Sequence, residues 1–119
     1  MHNFKELVVW RKARILVKEI YKITRLLPEE EKFGLTSQAR RAAISIPSNI
    51  AEGCGRKTNT ELSRFLDISN GSSFELETLL ILCIDLGFAK KSDCETAFAL
   101  NSEIQKMIHA LNKTLGNYS

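Results

Sequence analysis

The side chains of this sequence with the clearest chemical potential are basic. Arg40 and Arg41 are adjacent in the chain, and Arg56, Lys57 and Arg64 follow them. Grouped guanidinium and ammonium groups bind phosphates, so these five residues form a candidate nucleic-acid-binding set. The same residues could instead form an ordinary solvated surface, which is the alternative for any group of charges.

The charge is divided unevenly along the chain. Residues 1–59 carry 12 Lys and Arg against 6 Asp and Glu, a net +6, whereas residues 60–119 carry 5 against 8, a net −3. A basic half can bind a polyanion, or it can pair with the acidic half of another subunit in a head-to-tail assembly. The net charge alone does not decide between them.

Candidates for catalysis and metal binding are few. The two histidines are His2 and His109, and no Glu precedes a His by three residues as in the di-iron bundles. Cys54, Cys83 and Cys94 form no C-x-x-C pair, and no glycine-rich phosphate loop occurs. We therefore expect no metal, no cofactor and no enzymatic activity.

The cellular setting follows from the cysteines and from the beginning of the chain. An odd number of cysteines favours a reducing compartment. The first 20 residues are too charged for a signal peptide, and no apolar run reaches the roughly 20 residues of a membrane helix. We expect a cytoplasmic protein with no membrane contact and a single domain over residues 1–119.

Apolar residues recur at spacings of three and four along nearly the whole sequence. This spacing predicts an all-α protein. Short connections make successive helices antiparallel neighbours, so the expected architecture is an up-down-up-down four-helix bundle. The predicted helices span about 7–27, 35–54, 59–86 and 93–115.

Local signals predict where these helices begin and end. Thr58–Glu61 and Ser92–Glu95 have the S/T-x-x-E pattern of a capping box, which predicts the starts of the third and fourth helices. Gly53 and Gly55 are predicted to end the second helix in left-handed conformations. Pro47 lies inside the second helix, where we expect a kink, because the apolar pattern continues beyond it.

One face of the second helix carries polar residues at spacings of three and four. We predict a structural polar stripe made of Ser45, Asn49, Glu52 and Ser72. Ser45 and Asn49 are expected to hydrogen-bond to serines of the third helix, which Gly71 keeps slim. Glu52 is expected to pair with Arg56 or Arg41.

Another face is partly apolar and would be exposed in a monomer. From Leu76 to Leu86, eight of eleven residues are apolar, which leaves the third helix without a polar outer side. We predict that a second subunit covers part of this surface. The residues expected at this oligomer contact are Ile44, Pro47, Ala51, Leu79 and Leu82.

Several motifs resemble a known bacterial family, called four-helix bundle protein, whose members were first noticed inside intervening sequences of large-subunit ribosomal RNA genes. The most specific motif is Ser45–Gly53, with the sequence SIPSNIAEG. Further matching segments are Phe4, Leu7, Val9-Trp10, Ala13, Leu35-Thr36, Gln38, Arg40–Ala43, Gly55-Arg56, Phe65-Leu66, Gly71-Ser72 and Glu75–Glu77.

The resemblance implies an antiparallel four-helix bundle that assembles as a ring-like homopentamer. It also implies similarity to the accessory protein of diversity-generating retroelements, which binds a reverse transcriptase and nucleic acid. The family has no established enzymatic activity.

Two functional hypotheses follow. The first is an oligomeric accessory protein that binds RNA or DNA, with a nucleic-acid enzyme such as a reverse transcriptase as a candidate partner. The second is a protein-interaction scaffold without a nucleic-acid role, in which the basic half pairs with a partner or with a neighbouring subunit.

Overall fold

The computed structural model describes residues 3–116. Four α-helices account for most of them: α1 (Val8–Thr24), α2 (Leu35–Cys54), α3 (Asn59–Asp85) and α4 (Lys91–Thr114). Short 3-10 turns at Phe4–Glu6 and Glu29–Glu31 precede α1 and α2, and this part of the chain contains no strand. The predicted all-α class is therefore confirmed.

The helices form an antiparallel four-helix bundle measuring 43 × 23 × 22 Å. Each helix packs against the one that follows it, and α4 returns to pack against α1. Ser45 of α2 lies beside Ser72 of α3, whereas Gly53 of α2 lies beside Leu62 of α3. Residue numbers rise along one helix as they fall along the other, so the two helices run in opposite directions. The up-down-up-down topology follows from these neighbours.

The first helix ends earlier than its apolar pattern predicts. The helix ends at Thr24. The amide of Arg25 makes the last bond of helical spacing, to the Tyr21 carbonyl at 3.3 Å, and the amides of Leu26 and Leu27 bond only three residues back, to Ile23 and Thr24. Pro28 disfavours helical geometry in the residue before it, so the chain leaves the helix here.

The two predicted capping boxes have different outcomes. At α3 the amide of Glu61 donates to Thr58 Oγ1 at 3.1 Å, so this cap is confirmed. At α4 the prediction of Ser92 as the cap is wrong. The helix begins at Lys91, and the amide of Lys90 donates to Asp93 Oδ2 at 2.9 Å. Asp93 therefore lies at the third position of the helix, and its carboxylate satisfies the amide of the residue that precedes the helix.

The glycines of α2 and α3 have other roles than those predicted. Gly53 and Gly55 do not cap α2 in left-handed conformations; among the described residues only Gly87 and Gly116, which follow α3 and α4, have positive φ. A Cβ at Gly53 would lie 2.8 Å from Phe65 Cβ and 2.9 Å from Leu62 Cδ1, so this glycine permits the close approach of α2 and α3. A Cβ at Gly71 would meet nothing within 4 Å, and Gly71 therefore does not slim α3.

The core is built from one apolar stripe on each helix. Leu16 and Ile20 of α1, Ile46 of α2, Leu66 of α3 and Ile104 of α4 are fully buried. The helix α2 continues through Pro47 to Cys54. None of the helices within residues 3–116 is long and apolar enough to cross a membrane.

Candidate nucleic-acid interface

Two of the five predicted phosphate-binding residues lie on different flanks of α2. Arg40 is half-buried against α1: its Nε donates to Thr24 Oγ1 at 2.9 Å, and its guanidinium lies 4.3 Å from the centre of the Tyr21 ring. Arg41 is exposed on the α3 side, where it lines a polar depression of about 350 Å³ together with Glu75. The two adjacent arginines therefore cannot bind the same phosphate group.

The other three lie near the turn between α2 and α3. Arg56, Lys57 and Arg64 are exposed, and Arg56 pairs with Glu52 at 3.2 Å while its guanidinium lies 4.7 Å from the centre of the Phe65 ring. Arg56 is 15 residues beyond Arg41, which is about 22 Å along a helix. The structure thus divides the predicted set into three parts: Arg40 against α1, Arg41 on the α3 side, and the other three near the turn.

A more continuous basic surface lies on α1. Arg11, Arg14, Lys18, Lys22 and Arg25 follow one another at spacings of three and four and are all exposed. At 100° per residue they fall within an arc of about 80°. We call these five residues the α1 basic stripe. In the sequence, the α1 basic stripe is recognisable only from the spacing of three and four between its residues, because none of them are adjacent in the chain.

The neighbouring side chains hold parts of the α1 basic stripe in place. Arg14 lies over the Trp10 ring at 5.0 Å, and Arg11 Nε donates to the Lys5 carbonyl at 2.9 Å. Glu19, the one carboxylate of α1, pairs with Lys22 at 3.3 Å. The positive charge of this helix is therefore concentrated on one side, with little compensation from its own acidic residues.

The predicted polar stripe of α2 is confirmed at two of its contacts. Ser45 Oγ lies 2.8 Å from Ser72 Oγ, which joins α2 to α3, and Glu52 pairs with Arg56 as expected. The prediction that Asn49 bonds to a serine of α3 is wrong. Asn49 Nδ2 donates within α2, to the carbonyl and the hydroxyl of Ser45, both at 2.8 Å. Asn49 thus orients Ser45 rather than reaching α3 itself.

Three of the predicted contact residues, Ile44, Pro47 and Ala51, line an apolar groove of about 690 Å³ between α1 and α2. The remaining lining residues are Phe4, Trp10, Arg11, Arg14, Ile15, Val17, Lys18 and Ser48. Ile44 and Ile15 are 42% and 49% exposed, so the groove is open to solvent along its length.

The other two predicted contact residues are on α3, and they differ. Leu82 is exposed. Leu79 is only 6% exposed and belongs to the protein's own core, so its assignment to the oligomer contact was wrong. The apolar run of α3 contains both core and surface positions because Leu79 and Leu82 are three residues apart, on neighbouring faces.

The three cysteines are buried, and their thiols have low reactivity. Burial raises the pKa of all three thiols, and for Cys94, which also lies near Cys83 and Asp93, to about 11. A thiol with a raised pKa is a poor nucleophile near neutral pH. Across residues 3–116 no group of three or more His, Cys, Asp or Glu side chains could hold a metal ion.

The fold and the surface define a class: a small four-helix bundle with a basic helix on one side and an apolar groove beside it. The model of the 23S rRNA-intervening sequence protein family matches residues 5–110, and the chain belongs to this family.

A solved structure has the same fold. It is the crystal structure of a protein of unknown function from the S23 ribosomal protein family of Bacteroides thetaiotaomicron, with a TM-score of 0.82 and 24% sequence identity. The similarity covers 89% of this chain and 99% of that one. No curated protein matches the chain.

Proposed function

We propose that this protein is a homo-oligomeric accessory factor that binds nucleic acid through the α1 basic stripe. The observation that carries the proposal is the alignment of five exposed cationic side chains on one side of a single helix. From Arg11 to Arg25 the stripe is about 21 Å long, which is enough to follow several consecutive phosphates.

The stripe is rigid as well as charged. The α1 backbone is fixed by its buried face, on which Ala13, Leu16 and Ile20 are fully buried, so the cations are held in line before any ligand arrives. Five phosphate contacts would make the logarithm of the affinity fall with a slope of about −3.5 to −4.5 against the logarithm of salt concentration. A single stripe of this size gives weak binding, and several copies in one oligomer would raise it by avidity.

The family name points to the first ligand and the first partner to test. Because the family is named after the intervening sequences of 23S rRNA, ribosomal RNA is the first nucleic acid to examine. The resemblance to a retroelement accessory protein makes a nucleic-acid enzyme, such as a reverse transcriptase, the protein partner that we propose. The ring of five subunits is part of the same proposal.

The test is a fluorescence anisotropy titration of labelled RNA and of labelled duplex DNA at several salt concentrations. The variant is Lys22→Glu with Arg25→Glu, two exposed residues that lie outside the apolar groove. The expected result is weaker binding and a salt slope reduced by about 2.

The matched control carries the same change of charge on α4, Lys106→Glu with Lys113→Glu, where both lysines are exposed. The control should bind nearly as well as the natural protein. Equal losses in both double variants would mean that net charge, and not the α1 basic stripe, governs binding. Absence of binding by the natural protein at low salt would refute the proposal.

A scaffold without a nucleic-acid role is the second candidate. The observation that favours it is the apolar groove, since an exposed apolar surface of this kind is typical of protein contacts. In that case the natural protein would not bind nucleic acid even at low salt, and substitutions in the groove would abolish partner binding.

A further inference from the structure

We infer that the polar depression between α2 and α3 binds a small zwitterion, namely a free amino acid with a polar side chain. The depression has a volume of about 350 Å³, at the small end of the range of ligand pockets. Its lining residues are Gln38, Arg41, Ala42 and Ser45 of α2 with Ser72 and Glu75 of α3. We call it the α2–α3 depression. It is separate from the α1 basic stripe, so the inference does not depend on nucleic-acid binding.

Two opposite charges flank the α2–α3 depression at the same level of the bundle. Ser45 lies beside Ser72, and the two helices are antiparallel. Arg41, one turn before Ser45, is therefore level with Glu75, one turn after Ser72. Both charged residues are exposed and line the same depression.

The two charges are available to a ligand. Neither Arg41 nor Glu75 takes part in any of the ion pairs within residues 3–116. A simple anion bound at Arg41 would lie beside the Glu75 carboxylate, and a simple cation bound at Glu75 would lie beside the Arg41 guanidinium. A molecule that carries both charges avoids both repulsions, because each of its charged groups meets an opposite one.

The hydroxyl pair Ser45–Ser72 supplies a free donor. The two Oγ atoms are 2.8 Å apart, and Asn49 Nδ2 donates to Ser45 Oγ at 2.8 Å. Two hydroxyls have two hydrogens, and the bond between them uses one, whichever serine donates. No other hydrogen bond of the described residues uses the second hydrogen. One hydroxyl hydrogen is therefore available to an acceptor in the α2–α3 depression.

The walls of the α2–α3 depression are held at a fixed separation. Ser69 Oγ donates to the Ile46 carbonyl at 2.9 Å, so a second hydrogen bond joins α2 to α3 next to the hydroxyl pair. Ala42 contributes only a methyl group to the lining and is 4% exposed, which leaves space between the flanking side chains. The polar groups are thus positioned before a ligand binds, which lowers the entropy cost of binding.

These groups match the parts of an amino acid. Its carboxylate accepts from the Arg41 guanidinium and from the free hydroxyl hydrogen, since Arg41 and Ser45 are only four residues, about 6 Å, apart along α2. Its ammonium group donates to the Glu75 carboxylate. The exposed amide of Gln38, which also lines the depression, is available to a polar side chain. Hydrogen bonds between charged groups are about twice as strong as neutral ones, so both charges of the ligand are needed.

The test is a titration of the ¹⁵N-labelled full chain, followed by amide NMR, with L-serine as the probe. We expect saturable shifts at the amides of Ser45, Ser72 and their neighbours, with a dissociation constant in the millimolar range. Two analogues test the charge requirement on the natural protein. L-Glycerate has a hydroxyl in place of the ammonium group, and L-serinamide has a neutral amide in place of the carboxylate. Each should bind about tenfold more weakly or worse.

Two variants test the two protein charges separately. Arg41→Gln and Glu75→Gln each remove one charge at an exposed position and should each weaken L-serine binding about tenfold or more. The matched controls, Arg64→Gln and Glu95→Gln, make the same chemical changes at exposed positions outside the α2–α3 depression and should bind like the natural protein. The same spectra show that each variant is folded.

Four results would overturn the inference. They are the absence of saturable shifts with L-serine, binding of either analogue as tight as that of L-serine, unchanged binding by Arg41→Gln or Glu75→Gln, and an equal loss of binding in the matched controls. The analogue results come from the natural protein, so they decide the charge requirement even if a variant is unstable.

Discussion

The contact of α3 with α2 and its contact with α4 are built on different principles. Against α2 the helix approaches a glycine: Leu62 and Phe65 lie where a side chain of Gly53 would be, and Ser69 Oγ donates to the Ile46 carbonyl at 2.9 Å. Against α4 the contact contains buried amides. Asn101 and Asn112 are 1% and 0% exposed and bond to serines of α3.

The comparison shows two ways in which the position of α3 against a neighbouring helix is determined. The α2 contact depends on shape, because the close approach at Gly53 leaves no space for a side chain. The α4 contact depends on hydrogen bonds, because Ser73 donates to Asn101 Oδ1 at 2.6 Å and Asn101 Nδ2 donates to the Ser73 carbonyl at 3.0 Å. A shifted register would leave these buried groups unpaired, so the amides specify the register of α4.

The largest expected effect is on the shape-dependent contact. Gly53→Val places methyl groups against Phe65 and Leu62, where even a Cβ would lie under 3 Å from both. We expect a loss of about 3 kcal/mol in the free energy of unfolding, because neither α2 nor α3 can move without opening the core. Urea denaturation measures it, and an unchanged midpoint would show that the two helices are not in close contact.

A smaller loss is expected at the hydrogen-bonded contact. Asn101→Ala leaves the buried Ser73 hydroxyl without its acceptor and should cost about 2 kcal/mol in the free energy of unfolding. Replacing both partners, Asn101→Leu with Ser73→Ala, removes the unpaired polar group and should recover most of the loss. If the double variant is as unstable as the single one, packing volume rather than hydrogen bonding dominates this contact.

Alkaline pH should weaken the end of the bundle where α3 turns into α4. The unfolded Cys94 thiol has a pKa of 9.0, whereas burial raises its native pKa to about 11. Between these values only the native state retains the proton, so stability falls as pH rises, by an amount on the order of 2 kcal/mol at pH 11. Denaturation at neutral and alkaline pH, compared between the natural protein and Cys94→Ala, isolates this contribution from other titrating groups. A pH dependence that is the same in both proteins would contradict it.

The smallest effect is a stabilisation on the exposed side of α3. Gly71→Ala adds a Cβ in open space within a helix and should raise the free energy of unfolding by about 0.5 to 1 kcal/mol. Thermal unfolding measures it. Destabilisation by Gly71→Ala would contradict the open space that surrounds this position.

The helices were predictable because their signals are local and repeat. The spacing of apolar residues along α2 gave both of its ends, and the Thr58 cap gave the start of α3 to within a residue. The start of α4 was misplaced by two residues because Ser92 is a typical N-cap residue but lies inside the helix. Lys90 is the N-cap, and Asp93 acts from the third helical position by accepting from the Lys90 amide.

The candidate site was less predictable, for a different reason. Adjacency in the sequence grouped Arg40 with Arg41, but one side chain is occupied by Thr24 and Tyr21 and the other lies beside α3. Which arginines are available depends on partners that are distant in the chain. The close helix contact was predicted at Gly71 and is found at Gly53 for the same reason. How closely two helices approach depends on the residues of both, and the pattern of one helix does not show it.

The short connection between α2 and α3 has a consequence for how the protein folds. Only residues 55–58 separate Cys54 from Asn59, and the entropy lost on closing so short a loop is small. The Gly53 contact forms across this loop with Leu62 and Phe65, nine and twelve residues away, so the α2–α3 hairpin can form before the chain has brought α1 against α4. We expect the folding nucleus in this hairpin, with Lys12–Glu103, the ion pair that joins the first and last helices, formed late.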